Sequence, residues 1–482
     1  MKKTALLILV LLILVAGLPA LAASPLAVQE RDEWSGTYFK GHKLGFTHSQ
    51  VKHKGKDLEV HTRVFFRLHA GGEDQTTIIS QITTLDENLQ LKKFSLLQEI
   101  MGSRQRVLGQ RVNDKLEYEV TTSGYQKTKS MDFPVDVVPS STAWLNILDR
   151  GLDIGKKGTL KLFIEPFQMI VPMTYAILRH EKVDIKGQSH DAIVVVQEYG
   201  GMKTTLWVTP DGSVLRESTQ QGFESLQEDK NLAQKLDKKA ISVSNFITLS
   251  LVTPNRAIKN PGNLSTLKLK MSALQKADSV PQDQRQKILK AEPDGQGGFM
   301  ATVLIQRERA MQNPGPKRPV TDVPDPKYLE EAAEIQSRNG LIRGQARLIV
   351  GRETDAWKSA LLINGWVHEQ LEKVMVDAFT ALDALNSKRG ECQSHTNLFT
   401  ALARAEGIPT RVVNGLVYSK KYKGFLYHAW PEVYVGEWRA LDPTFGQDAV
   451  DATHIKLSVG NYQGAIKLME FLGKVQVEIL DN

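Results

Sequence analysis

The 482-residue chain has a single cysteine, so no internal disulfide can form and no cage of cysteine ligands can hold a metal. Beyond the N-terminus no apolar run approaches 18 residues, so no later segment reads as a membrane-spanning helix. There is no Gly-x-Ser-x-Gly elbow and no phosphate-binding glycine loop, and His368-Glu369 lacks the second histidine of a zinc-protease helix. Neither sign of charge dominates. The excess of 61 Lys and Arg over 54 Asp and Glu is only +7 and is spread along the chain, so nucleic acid is not an expected partner. His42, His48, His53, His61 and His69 fit no metal-ligand spacing, and neither a metal nor another cofactor is expected.

What is present begins with an address. Lys2 and Lys3 precede the apolar run Ala5 to Val15, followed by Gly17, Pro19 and Ala20-Leu21-Ala22. A basic start, an apolar middle and small residues two apart describe a secretory signal peptide, residues 1–22, with cleavage after Ala22. The alternative is an uncleaved N-terminal anchor. Either way the chain is expected to be exported, to the periplasm or cell envelope. In such an oxidising place one unpaired cysteine gives no stabilisation and invites oxidation, so its presence calls for a chemical reason.

The exported part divides by composition into a β-rich domain (34–245), a small β module (246–312), a stiff linker (313–326) holding Pro314, Pro316, Pro319, Pro324 and Pro326, and a C-terminal domain (327–482). Glu59 to Leu68, Thr76 to Leu85, Asp191 to Gln197 and Thr204 to Val208 are strand-like, and Pro210-Asp211-Gly212 suits a hairpin turn. Trp34-Ser35-Gly36-Thr37-Tyr38 with Gly41 and Gly45 resembles the opening of half-barrel domains in lipid-carrying bacterial envelope proteins. A lipid or a peptide is therefore the kind of ligand expected for that domain. In the C-terminal domain, Tyr328 to Arg338 is expected to be a helix stopped by Asn339-Gly340. Thr354-Asp355 is expected to cap a helix whose apolar stripe is Trp357, Leu361, Trp366, Leu371 and Val374 or Met375.

The chemistry-bearing residues lie between 389 and 447. Cys392 follows Gly390-Glu391 and opens a helix that Gly407 and Pro409 end, so the thiol sits on a first turn, where unbonded N–H groups and the helix dipole favour an anion. A strand follows over Thr410 to Tyr418. Then come Tyr427 to Val435, carrying His428, and Trp438 to Thr444, carrying Asp442. A helix-borne thiol, a histidine on one strand and an aspartate on the next supply nucleophile, base and orienter. Trp430, Trp366 and Gln393 are candidates for contact with substrate or for the second oxyanion donor.

The blocks Gly390-Glu391-Cys392, Ala401 to Ala405 with Gly407-Ile408-Pro409-Thr410-Arg411, His428-Ala429-Trp430 with Glu432-Val433-Tyr434, and Trp438 with Leu441-Asp442-Pro443-Thr444 resemble the transglutaminase-like superfamily over about residues 326–460. That resemblance implies a papain-like α+β core for the C-terminal domain, so that with the β-rich segments read before it the chain is expected to be α+β. It also implies a Cys392–His428–Asp442 triad that cleaves peptide or amide bonds of an envelope peptide or protein through an acyl-enzyme thioester. Two alternatives stay open: a true transglutaminase, which passes the acyl group to an amine, and an inactive binding or scaffold protein. No acidic EF-hand loop is present, so calcium dependence does not carry over.

Strand parity constrains the triad. If Gly436-Glu437 alone closed the hairpin, Asp442 would stand opposite Pro431, on the face away from His428, because side chains alternate. A three-residue loop, or a bulge near Pro431, returns both to one face. One of these irregularities is therefore required.

Overall fold

Buried and exposed residues alternate through long stretches of the first half, as in Leu58 to Leu68, and that pattern builds a sheet with one covered face. The computed structural model describes residues 30–481 apart from 71, 244–250, 310, 312 and 375–379, so the segment expected to be a signal peptide lies outside the described residues. The chain is 50% strand and 17% helix, the expected α+β class. It folds as two compact units that meet in sequence at Ser242 and Val243.

The first unit is one 16-stranded sheet. Its path runs from Tyr125–Asp132 back through each earlier strand to Arg31–Phe39, crosses to Phe223–Glu228, and returns strand by strand to Val137–Pro139. The two strands at its ends are thus joined by residues 133–136 alone, a link that reaches less than about 20 Å. The sheet must curl until its edges approach. Two buried carboxylates in this unit are paired internally: Glu165 accepts from Gln81 Nε2 (2.7 Å) and Ser141 Oγ (2.7 Å), and Glu228 pairs with Lys43. A groove of about 610 Å³ is lined by Ile82, Phe94, Leu108 and Tyr118 together with Lys54 and Lys93.

In the second unit, helices α1 (Gly340–Val350), α2 (Ala356–Gln370), α3 (Ala381–Ser387) and α4 (Cys392–Ala405) accompany a sheet built on strands β1 (Thr410–Ser419), β2 (Gly424–Tyr434), β3 (Trp438–Ala440) and β4 (Ile455–Val459). Strand β2 lies between β1 and β3, and Leu251–Val252 also pairs with β2. A second sheet orders its strands Gln286–Pro293, Phe299–Gln306, Thr266–Leu274 and Gln476–Asp481, so it draws on both ends of this unit.

Two helix expectations need correction. Residues 328–338 form turns rather than a helix, and Asn339 starts α1 instead of ending a helix before it. The Asn339 side chain accepts from Leu341 N (2.9 Å), and an asparagine before a glycine serves an N-cap as readily as a stop. Helix α2 is capped by Asp355, which accepts from Lys358 N (3.0 Å), but its buried face is Ala356, Ser359, Ala360, Ile363, Asn364 and Val367. Trp357, Leu361 and Trp366 flank that face half-buried; α2 ends at Gln370, and Met375 lies outside the described residues. Small residues let α2 approach its neighbours closely, so bulk marked the border of the contact and not its centre.

Helix α4 packs against α1, α2, α3, β1 and β2, and all its residues except Gln393 and Ala405 are buried. Gly407 ends it with φ +72°. Gly415 on β1 faces a very tight approach: a methyl group there would lie 2.0 Å from Ile455 O and 2.7 Å from the Trp430 ring. Gly415→Ala is therefore expected to cost about 3 kcal/mol of unfolding free energy in urea titrations. Gly344→Ala, in the interior of α1 with open space around it, should instead gain about 0.5–1 kcal/mol. Equal effects would contradict the strand approach.

Candidate active site

The hairpin from β2 to β3 decides where Asp442 goes. Tyr434 pairs with Trp438, Val433 with Arg439 and Glu432 with Ala440, so the loop is Val435-Gly436-Glu437, three residues, with Gly436 at φ +93°. Leu441 N continues the ladder to Pro431 O (3.2 Å), which brings Asp442 opposite Trp430 and onto the face of His428. Parity is restored by the longer loop, the first of the two irregularities the sequence demanded. Glu308 braces this edge, accepting from Ala440 N (3.1 Å) and Arg439 (3.0 Å).

His428 and Asp442 meet directly. His428 Nε2 lies 2.8 Å from Asp442 Oδ2, and both side chains are essentially removed from solvent. Asp442 Oδ1 accepts from the backbone N–H of Thr444 (2.7 Å) and Phe445 (3.2 Å), an Asx turn that fixes the carboxylate plane. Helix α2 holds the same loop from another side, since His368 Nδ1 contacts Pro443 O (3.1 Å) and Asn364 donates to Asp448 (2.8 Å). His368, which fits no zinc motif, thus serves as a brace. The Phe445 ring stacks on His428 at 4.9 Å, and the Trp430 ring lies near-parallel at 6.1 Å.

Cys392 is the first residue of α4 and is buried. Glu391, in extended conformation, precedes it, and its carbonyl accepts from both His395 N (3.0 Å) and His395 Nδ1 (2.8 Å). Of the three side chains considered for substrate contact, Trp430 is wholly enclosed, in a cluster with Val413, Ala440 and Val450. Trp366 is half-buried on α2 with the Lys388 ammonium 4.3 Å above its ring, and Gln393 donates to Asn397 (2.9 Å). Trp430 therefore acts from beneath His428, whereas Trp366 and Gln393 keep exposed surface.

A second histidine enters that sequence reasoning missed. His454 Nε2 lies 3.1 Å from the same Asp442 Oδ2, and its Nδ1 lies 3.3 Å from Asp451 Oδ1. The only signal was Asp451-Ala-Thr-His454, an Asx-turn pattern in which Asp451 accepts from Thr453 N (2.8 Å) and Oγ1 (2.6 Å). Donor atoms of His428, Asp442 and His454 fall within 4.8 Å of one another. Both histidine nitrogens, however, approach one oxygen at hydrogen-bond distance, so shared protons and not a cation account for the cluster.

Electrostatics follow the geometry. Burial works to raise the Asp442 carboxyl, but His428 and His454 outweigh it and hold it well below the usual carboxylate range. Burial likewise acts upward on Asp451 and is overcome by His454, Thr453 and Gln447, which lower it. For His454, burial disfavours the charge, yet Asp451 and Asp442 prevail and raise it to about 9.

Residues 343–443 match the model of the transglutaminase-like superfamily, a span that holds Cys392, His428 and Asp442 and stops short of Asp451 and His454. Over 87 residues the chain is 36% identical to an uncharacterized protein of Mycobacterium leprae, covering 17% of this chain and 30% of that one. Over 90 residues it is 32% identical to the kyphoscoliosis peptidase of Mus musculus, covering 17% and 13%. The match spans less than a third of either curated relative. Among solved structures, a proposed cysteine protease from Cytophaga hutchinsonii aligns with 45% of this chain and 87% of its own, at 17% identity and a TM-score of 0.33.

The cluster makes stability depend on pH from both sides. Asp442 and Asp451 are depressed on folding, so their contribution is complete above about 4 and is lost as pH falls through their lower folded values. His454 is raised from 6.5 to about 9, so its contribution is complete below about 6.5 and fades as pH rises through about 9. Urea midpoints should therefore peak between about pH 4 and 6.5. Asp451→Asn should flatten both limbs, and a mutant curve parallel to wild type would contradict this assignment.

Proposed function

We propose that this chain, which carries a domain of the transglutaminase-like superfamily, is a cysteine-dependent amidase or peptidase working through Cys392, His428 and Asp442. The buried His428–Asp442 hydrogen bond carries the reading, because it orients one ring nitrogen and leaves the proton traffic to the other. With Nε2 committed to Asp442, Nδ1 takes the proton of Cys392. The thiolate attacks an amide carbonyl, and the Cys392 N–H at the start of α4 is one donor to the developing oxyanion. His428 then gives its proton from Nδ1 to the departing amine, which leaves a thioester on Cys392. Water, deprotonated by His428, breaks the thioester and restores the thiol. Asp442 keeps the imidazolium favourable throughout.

Hydrolysis is favoured over transfer by the likeness to a relative that is itself named a peptidase. The basic and apolar N-terminus supports export, and with it a peptide or protein of the cell envelope as substrate. Among the described residues no helix is long and apolar enough to cross a membrane.

Two measurements test the proposal. Alkylation of Cys392 by iodoacetamide at pH 7, followed by mass spectrometry, should be at least about tenfold slower in His428→Ala than in wild type. Equal rates would sink the activated thiolate. Incubation of casein with the enzyme and a fluorescent primary amine separates the outcomes: Cys392-dependent cleavage without label supports hydrolysis, and label joined to intact casein supports transfer.

A further inference from the structure

His454 has two ring nitrogens and two carboxylate partners. An imidazole offers one N–H when neutral and two when charged, so satisfying both Asp442 Oδ2 and Asp451 Oδ1 requires the charged ring. The two acceptors are themselves fully engaged. Asp442 Oδ2 also meets His428 while Oδ1 meets Thr444 N and Phe445 N; Asp451 meets Thr453 and, through Oδ2, Gln447 Nε2 (2.9 Å). The charged or titratable groups that face His454 are Asp442 from the segment after β3, Asp451 from its own turn and His428 from β2. Lys456, two residues on, turns its ammonium to Asp283 and Glu432 instead. The ring is also enclosed by aromatics, with Trp430 edge-on at 5.2 Å and His428 at 5.8 Å.

We infer that His454, braced by Asp451, is a positioning residue of the reaction: a buried imidazolium that holds the Asp442 carboxylate on His428 and offsets part of its charge. This rests on the reading of Cys392, His428 and Asp442 as the reacting set. Its chemical consequence concerns the base. A bare buried carboxylate against His428 would bind the proton so firmly that the ring would protonate leaving groups poorly. A cation on the far partner of the same oxygen weakens that hold and lets His428 release the proton as well as take it. The elevated proton affinity of His454 agrees with this role, since it keeps the cation in place over the working range. A purely structural His454 would affect how often the site is assembled, at every pH alike.

The test is the pH profile of Cys392 alkylation by iodoacetamide between pH 4 and 10 in wild type, His454→Gln and His428→Ala. Removing the cation should move the alkaline limb, where His428 loses its proton, upward by about 0.5 to 2 in pH, from a unit charge at the 5.8 Å ring separation and effective dielectrics of 80 to 20. A His454→Gln profile lowered evenly with its limbs in place would overturn the inference and leave the triad standing. A His428→Ala profile identical to wild type would overturn the triad, and this inference with it. Histidine-labelled ¹⁵N spectra of wild-type protein with Cys392 alkylated give a readout that needs no variant to fold. One doubly protonated imidazole at pH 8, lost in Asp451→Asn, is expected; its absence in wild type overturns the inference.

Discussion

The bond between His428 and Asp442 depends on parity. Two strands of a hairpin present residues to alternate faces, and one residue more or less in the loop exchanges the faces of everything that follows. Val435-Gly436-Glu437 sets that count, and Gly436 accepts the left-handed backbone the turn needs. From there the consequences are local: Asp442 comes opposite Trp430, the Asx turn at Thr444 and Phe445 fixes its carboxylate, and Phe445 is carried back over the histidine ring. A shorter turn would have sent the carboxylate away from His428 with the same residues in the same order.

Around that bond the protein buries many polar groups, and several of them fasten the helix that carries Cys392. Helix α4 is enclosed although Ser394, His395, Thr396, Asn397 and Thr400 all lie on it. Thr400 returns its hydroxyl to Thr396 O (2.7 Å), and Arg404 clamps Thr410 O (2.7 Å) and Glu330 O (2.6 Å), so the far end of the helix is bolted to the start of β1 and to the turn before α1. A helix held at its end by charge-assisted bonds cannot slide or rotate cheaply, and its first residue is Cys392. Positional accuracy at the thiol is therefore set at Arg404, near the other end of the 14-residue helix.

Much of this was legible in the sequence because the signals were local. Gly390 before the cysteine and Gly407-Ile408-Pro409 after it bound α4 correctly, and β-branched runs marked the strands of the large sheet. Counting residues between His428 and Asp442 was enough to demand an irregular hairpin. What failed shared a cause: the signal served two meanings or lay far off in the chain. Asn339-Gly340 can end a helix or begin one, and here the Asn339 side chain caps the start of α1. The stripe on α2 was drawn through tryptophans, whereas close packing favoured Ala356, Ser359 and Ala360. Pairing of Gln476–Asp481 with Thr266–Leu274 spans some two hundred residues and leaves no local mark. His454 stands beyond every block that suggested the family, and only the fold brings it to Asp442.

Two buried charge clusters share one face of the sheet that carries His428, and comparing them explains why one is a candidate for chemistry. His428, Trp430 and Glu432 alternate along β2, and Lys456 follows His454 by two residues. In one cluster Arg411 and Lys456 meet Glu432, and Lys456 also meets Asp283. Two cations balance two anions, each group is satisfied, and no proton need move; such a set tends to specify register more than it adds stability. It ties the sheet bearing His428 to the segment that begins the neighbouring sheet. The other cluster, Asp442, Asp451 and the His454 imidazolium, is one positive charge short. It closes only when His428 gains a proton, and a proton gained by His428 from a thiol is the first step of the proposed reaction. The static cluster is neutral at rest, whereas the reactive one becomes neutral on the way to product.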